Sequence, residues 1–383
     1  MASPKVTWDE DQIRRDRLVL LQEEMQKHDV GALYLGSGVT ARYVLNKKVP
    51  GGQVFVPAEG EIIVFVRPRD EGYVARAGVP MRKPFHRNSD RGIELSGESK
   101  LAGGLKELLK EHALAGERVG IDGLDTGSIL ELVKGGVDIV DAEPIIERTW
   151  TVKTPDEISI YRLIGDQYVT TFNAFRNAIR PGVTEKMLAH VVTSTWEELE
   201  GEDIAQLNVC AGENMNPWSR WPTDRALSDG DYVGVDLHGR GPNGLRGDGS
   251  TTFFVGEHPT GEQRDLYRRA NDFLQASIPV WRAGRTIGDA MADVPEVPDR
   301  FRKKLWDLNY AHGCGLGSSG YPHMNPRETP LDDVLKDNQV LSLEVYFGEE
   351  GKTQAVKLEQ MIAVHANGPE VLGPIPMDLR VIG

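Results

Sequence analysis

The chain has 383 residues, more than a single hydrophobic core usually accommodates, so two domains are the expectation. Hydrophobic residues make up 39% and charged residues 27%, a globular composition, and 58 acidic against 44 basic side chains give a formal charge of −14, which argues against a nucleic-acid binder built on clustered Lys and Arg. The two cysteines, Cys210 and Cys314, are too few for a disulfide framework, which points to a reducing, cytoplasmic setting; the N-terminal MASPKVTWDEDQIRRDR has no apolar signal core, and no run approaches the roughly 20 apolar residues of a membrane span.

In chain order, residues 11–28 carry Leu18, Leu21 and Met25 at helical spacing and lead into the apolar strand GALYLG. QVFVPAEGEIIVFVRP reads as a hairpin turning at Pro57–Gly60. Leu101, Leu105, Leu108 and Leu109 mark a further amphipathic helix, and VGIDGL and VDIVDA add strands. This alternation predicts an α/β domain over residues 1–150.

In KTPDEISIYRL, Thr154 is an N-cap, Pro155 suits the first helical position and Glu157 completes a capping box. The helix is expected to run to Arg180, where PGVTE stops it and Thr184 caps the next one. RDLYRRANDFLQASIPVW gives another long helix. The strands YVGVDLH, STTFFVG, QVLSLEVYF and AVKLEQMIAV complete an α+β domain over residues 151–383, with helices on one face of the sheet.

Alternation along YVGVDLH turns Asp236 and His238 to one face and Val233, Val235 and Leu237 to the other. Asp248 follows twelve residues later, where a hairpin returns it beside Asp236. An acid at the end of an exposed edge strand is the alternative for Asp236. In VLSLEVYF, Glu344 shares a face with Ser342 and Tyr346, and Glu359 stands among apolar neighbours on the next strand. A salt bridge to Lys or Arg is the alternative for these two. His312 is followed by Gly313, Gly315, Gly317 and Gly320, which let the backbone pass close to a ligand. Four carboxylates and an imidazole suit two divalent cations, Mn, Fe, Co or Zn, with a bridging water. Cys314 reads as packing. Trp218, Trp221 and Tyr346 are candidate walls of a substrate pocket, with core packing as the alternative.

The order Asp, Asp, His, Glu, Glu resembles that of the pita-bread metallohydrolases, which include aminopeptidase P, prolidase and creatinase. The resemblance implies an α+β pita-bread catalytic domain (151–383) preceded by a smaller α/β creatinase-type N-terminal domain (1–150), joined at KTPDEISIYR. It also implies one metal at Asp236 and Asp248, a second at His312 and Glu344, and Asp248 and Glu359 bridging them. NPW (216–218), the HGCGL turn and EVYFGEEG resemble the branch that holds the iron-dependent dimethylsulfoniopropionate lyase and Xaa-Pro peptidase-like proteins.

The chain departs from that branch at several positions. His238 stands where the lyase has an additional Asp ligand, and Gly317, Ser318 and Ser319 stand where it has a catalytic Asp. The peptidases carry a second His at the place of Ser319 and an Arg at that of Thr251; here the nearest histidine is His323. His323 and His238 are therefore the spare acid/base groups, and a third-ligand role is the alternative for His238. The expected function is a homodimeric dinuclear-metal hydrolase that cleaves a small amide or Xaa-Pro-like C–N bond of a small-molecule or dipeptide-like substrate. Metal-bridged hydroxide attacks, and His323 or Glu344 hands over the proton. The alternatives are a metal-dependent lyase acting on a small onium-carboxylate and a non-catalytic ligand-binding member of the fold. No nucleic-acid or membrane partner is expected.

Overall fold

The structure is a computed structural model that describes residues 7–49, 53–66, 70–76, 100–219, 221–302, 311–317, 320–324, 331–377, 379 and 381–382. Two compact units emerge, Asp9–Trp150 and Thr151–Gly383. In the first, β1 (Ala32–Leu35), β2 (Gln53–Pro57), β3 (Ile63–Phe65), β4 (Val119–Asp122) and β5 (Ile139–Asp141) form a sheet ordered β3-β2-β1-β4-β5. The β2–β3 hairpin matches expectation, with Phe55 opposite Ile63. Every residue of β1 is buried, as befits a central strand with antiparallel β2 on one side and parallel β4 on the other. Leu101, Leu105, Leu108 and Leu109 of helix Lys100–Glu111 share a core with Tyr34, Phe55 and Ile121.

The stripe expected on the first helix is shifted. Glu10–Lys27 buries Ile13, Arg17, Leu21 and Met25, and Leu18 is only half-buried. A guanidinium holds a core position because Nη1 donates to Tyr43 O and Asn46 Oδ1, both at 3.1 Å, and the group lies 4.7 Å from the Tyr43 ring centroid.

The second unit opens on helix Pro155–Ala178, with the Thr154–Glu157 capping box formed. The helix ends at Ala178 rather than Arg180. Ile179 is already extended, and Arg180 precedes Pro181, whose ring disfavours helical backbone before it. Thr184 caps Glu185–Glu198 through Met187 N. The sheet is built from β6 (Ile204–Ala211), β7 (Tyr232–Gly239), β8 (Gly249–Val255), β9 (Ala311–Gly313), β10 (Gly320–Met324), β11 (Val340–Gly348) and β12 (Ala355–Ala363). Their order is β10-β9-β11-β12-β8-β7-β6, and Glu370–Val371 and Val381–Ile382 pair with β12 and β8. His312, expected in a turn, lies on the short strand β9.

Helices cover one face of this sheet. Phe253 of β8 meets Phe175 at 6.1 Å between ring centroids, and Phe347 of β11 meets Phe273 of helix Gly261–Ser277 at 5.5 Å. Where helix Pro155–Ala178 passes the segment after β12, a Cβ added to Gly165 would fall 2.6 Å from the Leu372 backbone carbon. Gln360 pins that segment by donating to Leu372 O and Gly373 O. Gly165→Ala is therefore expected to cost about 1–3 kcal/mol, read as a lower urea midpoint. Among the described residues, no helix is long and apolar enough to cross a membrane.

Candidate metal centre

On the other face of the sheet, one row of paired residues crosses five strands. Asn208 on β6 is opposite Asp236 on β7, Asp236 opposite Ser250 on β8, Ser250 opposite Glu359 on β12, and Glu359 opposite Glu344 on β11. Directly opposed side chains share a face, and the period of two adds His238, Asp248, Lys357, Ser342 and Tyr346 to it. β9 brings His312 opposite Ser342, and β10 brings His323 opposite His312.

These pairings converge on a compact cluster. His238 Nδ1 is 2.8 Å from Asp248 Oδ2, and its Nε2 is 3.5 Å from Asp236 Oδ1. His312 Nε2 lies 3.6 Å from Asp248 Oδ2 and 3.5 Å from Glu359 Oε1. Asp236, His238 and Asp248 thus offer three donor atoms within 4.8 Å of one another, as do Asp248, His312 and Glu359, and Asp248 is common to both groups. Among the described residues, Asp236 Oδ1 and Asp248 Oδ1 are buried with no hydrogen-bond partner. A buried carboxylate oxygen without a hydrogen bond is costly in a folded chain. Two such oxygens among imidazole nitrogens fit divalent cations, and mixed N/O donors suit Mn, Fe, Co or Zn without choosing among them.

Glu344 joins the row but neither donor group. Its carboxylate lies 3.4 Å from Lys357 Nζ, which also sits 2.8 Å from Asp236 Oδ2 and 3.4 Å from Glu359 Oε2. Lys357, in register with Tyr346, was missed in the sequence, although it lies two residues before Glu359 and so on the same face of its strand. The salt-bridge alternative for the two glutamates is thus present alongside the donor cluster.

The electrostatics express this crowding. Burial opposes ionisation of Asp236 and Asp248, but Lys357 and His238 outweigh it at Asp236 and His238 does so at Asp248, so both carboxyls titrate below the usual range. Burial would lower the two imidazoles, whereas the neighbouring carboxylates raise His238 to about 10 and His312 to about 9. At Glu359, burial and then Asp248 prevail over Lys357 and lift the carboxyl to about 7. Burial pushes the Cys314 thiol up, as suits a packing residue rather than a nucleophile.

Trp218 and Tyr346 pack together beside the cluster, Trp218 as a buried core residue, which is the packing alternative. Their ring centroids are 6.2 Å apart at an edge-on 80°, and Lys357 Nζ lies 5.8 Å from the Trp218 ring. Gly234, two residues before Asp236, leaves room for this indole: a Cβ there would come within 2.9 Å of it. Tyr346 is fixed by donating to Met215 O at 2.8 Å. Trp221, by contrast, is 77% exposed and stands in water rather than in an enclosing wall. His323 is half-buried on the edge strand of this region. Ser318 and Ser319 lie outside the described residues. Thr251 faces away, donating to Pro376 O. Asn208 and Arg246 were also missed: Asn208 Nδ2 donates to Asp236 Oδ2 at 3.0 Å, and Arg246 Nη2 contacts His238 Nδ1.

Residues 159–366 match the family model of metallopeptidase family M24, and residues 17–149 match that of the creatinase/prolidase N-terminal domain. Among curated proteins, the chain is 24% identical over 305 residues to dimethylsulfoniopropionate lyase DddP of Roseobacter denitrificans, covering 77% of this chain and 68% of that protein. It is 26% identical over 245 residues to the Xaa-Pro dipeptidase of Lactobacillus helveticus, covering 63% and 65%. Among solved structures, the recombinant prolidase from Thermococcus sibiricus superposes with a TM-score of 0.81 at 18% identity, over 98% of this chain and 100% of that one. A likeness at that identity carries the fold: a creatinase-type N-terminal domain followed by a pita-bread domain.

Proposed function

The chain belongs to metallopeptidase family M24, and on that premise we propose that it is a dinuclear-metal hydrolase of a small amide or Xaa-Pro-like C–N bond. The observation that carries this reading is a pair of donor groups that share Asp248, in which Asp236 Oδ1 and Asp248 Oδ1 are buried without a hydrogen bond among the described residues. The residues that would hold the ions are Asp236, His238 and Asp248 on one side and His312, Glu359 and Glu344 on the other. Two divalent ions bound there supply a Lewis acid for the scissile carbonyl and an activated water.

The chain's own residues have separable tasks. Asp248, as the shared donor, sets the spacing of the two halves. Ser342 Oγ donates to Glu359 Oε1 at 2.9 Å and fixes the carboxylate that faces His312. Lys357 holds Asp236 and Glu344 in place while neutralising part of their charge. His323, opposite His312 on the edge strand, is the proton donor to the leaving amine. Trp218 and Tyr346 offer flat apolar surface to a proline-like ring. His238 acts as a third ligand rather than an acid/base group, because its ring nitrogens already face Asp236 and Asp248.

A second reading, a lyase acting on a small onium-carboxylate, draws support from the lyase relative. One experiment separates the two. Purified protein is analysed for metal content and incubated in oxygen-18 water with a panel of Xaa-Pro dipeptides, simple amides and dimethylsulfoniopropionate. Hydrolysis places the label in the product carboxylate, whereas elimination yields an alkene free of label. Two metal equivalents with labelled product are the expected result; an alkene, or no turnover of any amide, overturns the hydrolase reading.

A further inference from the structure

We propose that Tyr168 is a positioning residue of the metal centre, fixing the backbone behind His238 and Asp248 from the helix-covered face of the sheet; this rests on the site holding divalent ions and holds for hydrolysis and elimination alike. Tyr168 lies on helix Pro155–Ala178 and is fully buried. Its hydroxyl donates to Leu237 O at 2.8 Å and accepts from Gly239 N at 2.9 Å. Leu237 and Gly239 are the two chain neighbours of His238, so one oxygen holds the backbone on both sides of that imidazole. The carbonyl of Gly239 accepts from Gly247 N at 2.9 Å, which extends the same hold to the residue before Asp248.

The ring completes the arrangement. A Cβ added to Gly247 would fall 2.6 Å from the Tyr168 ring, and one added to Gly249 would fall 3.0 Å from it. The glycines on either side of Asp248 therefore let the phenol lie directly against the strand. Trp196 seats the ring edge-on at 5.2 Å between centroids, and a Cβ at Gly239 would come within 2.5 Å of that indole. The hydroxyl sits where the ladder gives least support. The register of β6 on β7 shifts between Ile204 and Gln206, opposite Gly239 and His238, and the pairing of β7 with β8 ends at Leu237 and Gly249. A bulge re-aims the side chains around it and leaves backbone groups in need of another partner. Tyr168 supplies that partner. His238 Nδ1 and Asp248 Oδ2 are 2.8 Å apart, so a small drift of either backbone would change the bite offered to an ion.

Tyr168→Phe keeps the ring and removes the hydroxyl. Cobalt(II) is the probe, because its visible absorption reports the arrangement of donors as well as uptake. In Tyr168→Phe the affinity for one cobalt equivalent is expected to fall by about tenfold or more, the usual weight of a contact that orients a ligand, with a changed absorption band. Tyr232→Phe is the control: it lies on the same strand, and its hydroxyl donates to Gln263 O, away from the centre. It is expected to lower the urea midpoint while leaving cobalt affinity and spectrum as in the wild type. A Tyr168→Phe protein that behaves like this control has lost only packing, and overturns the assignment. Amide hydrogen exchange on the metal-free wild type is the safeguard if the variant does not fold. The Gly239 N–H is expected to be protected before any ion is added; protection that arises only with cobalt overturns the assignment. Wild-type protein that takes up no cobalt removes the metal centre itself, and this assignment with it, whereas an unaltered Tyr168→Phe removes this assignment alone.

Discussion

Glu359→Ala is expected to strip the centre of its second ion and to lower turnover of any substrate the wild-type protein cleaves by roughly a thousandfold, the weight of several kcal/mol of transition-state stabilisation. Glu359 is the residue in which the contacts meet: Ser342 donates to it, His312 lies 3.5 Å away, and Lys357 lies 3.4 Å from its other oxygen. Its removal relieves repulsion with Asp248 rather than creating it, so the fold should survive and circular dichroism should be unchanged. The measurements are metal equivalents per chain and initial rates on the same panel of amides. A variant that keeps both ions and full turnover would remove Glu359 from the centre.

The second large effect is on stability. Lys357→Met in metal-free protein leaves Asp236, Glu344 and Glu359 without their ammonium, and breaking a buried ion pair from one side costs about 3–5 kcal/mol. The urea midpoint of the metal-free variant should fall accordingly. Added manganese should then restore more stability to the variant than it adds to the wild type, because the incoming ion no longer competes with a resident cation. An unchanged midpoint without metal would mean that Lys357 is not needed to balance the row.

Much of the centre was legible in the chain because strands repeat every two residues. That rule alone set Asp236 with His238, and Ser342 with Glu344 and Tyr346, and the pairing of β11 with β12 follows it. The same rule would have reached Lys357 from Glu359; the acids drew the eye and the cation between them did not. Other features depended on partners distant in sequence. Arg17 occupies a core position because of Tyr43 and Asn46, which no helical period reveals. Arg246 meets the Gly317 carbonyl and His238 only in the folded turn. Trp218 and Trp221 looked equivalent as aromatic residues in one loop, yet one packs over Gly234 and the other stands in solvent. Helix ends, in contrast, are local: the Thr154 box was readable, and the stop at Ala178 follows from Pro181.

The row from Asn208 to Glu344 runs along a single rung of the ladder, one residue per strand. Slipping β7, β11 or β12 by a single residue would turn its carboxylate to the helix-covered side. On the proposed assignment, metal affinity is therefore a gauge of strand alignment. A chain that has collapsed with a misaligned strand should bind ions poorly even though every ligand is present, and metal ions in the refolding medium should select the aligned sheet from its slipped competitors.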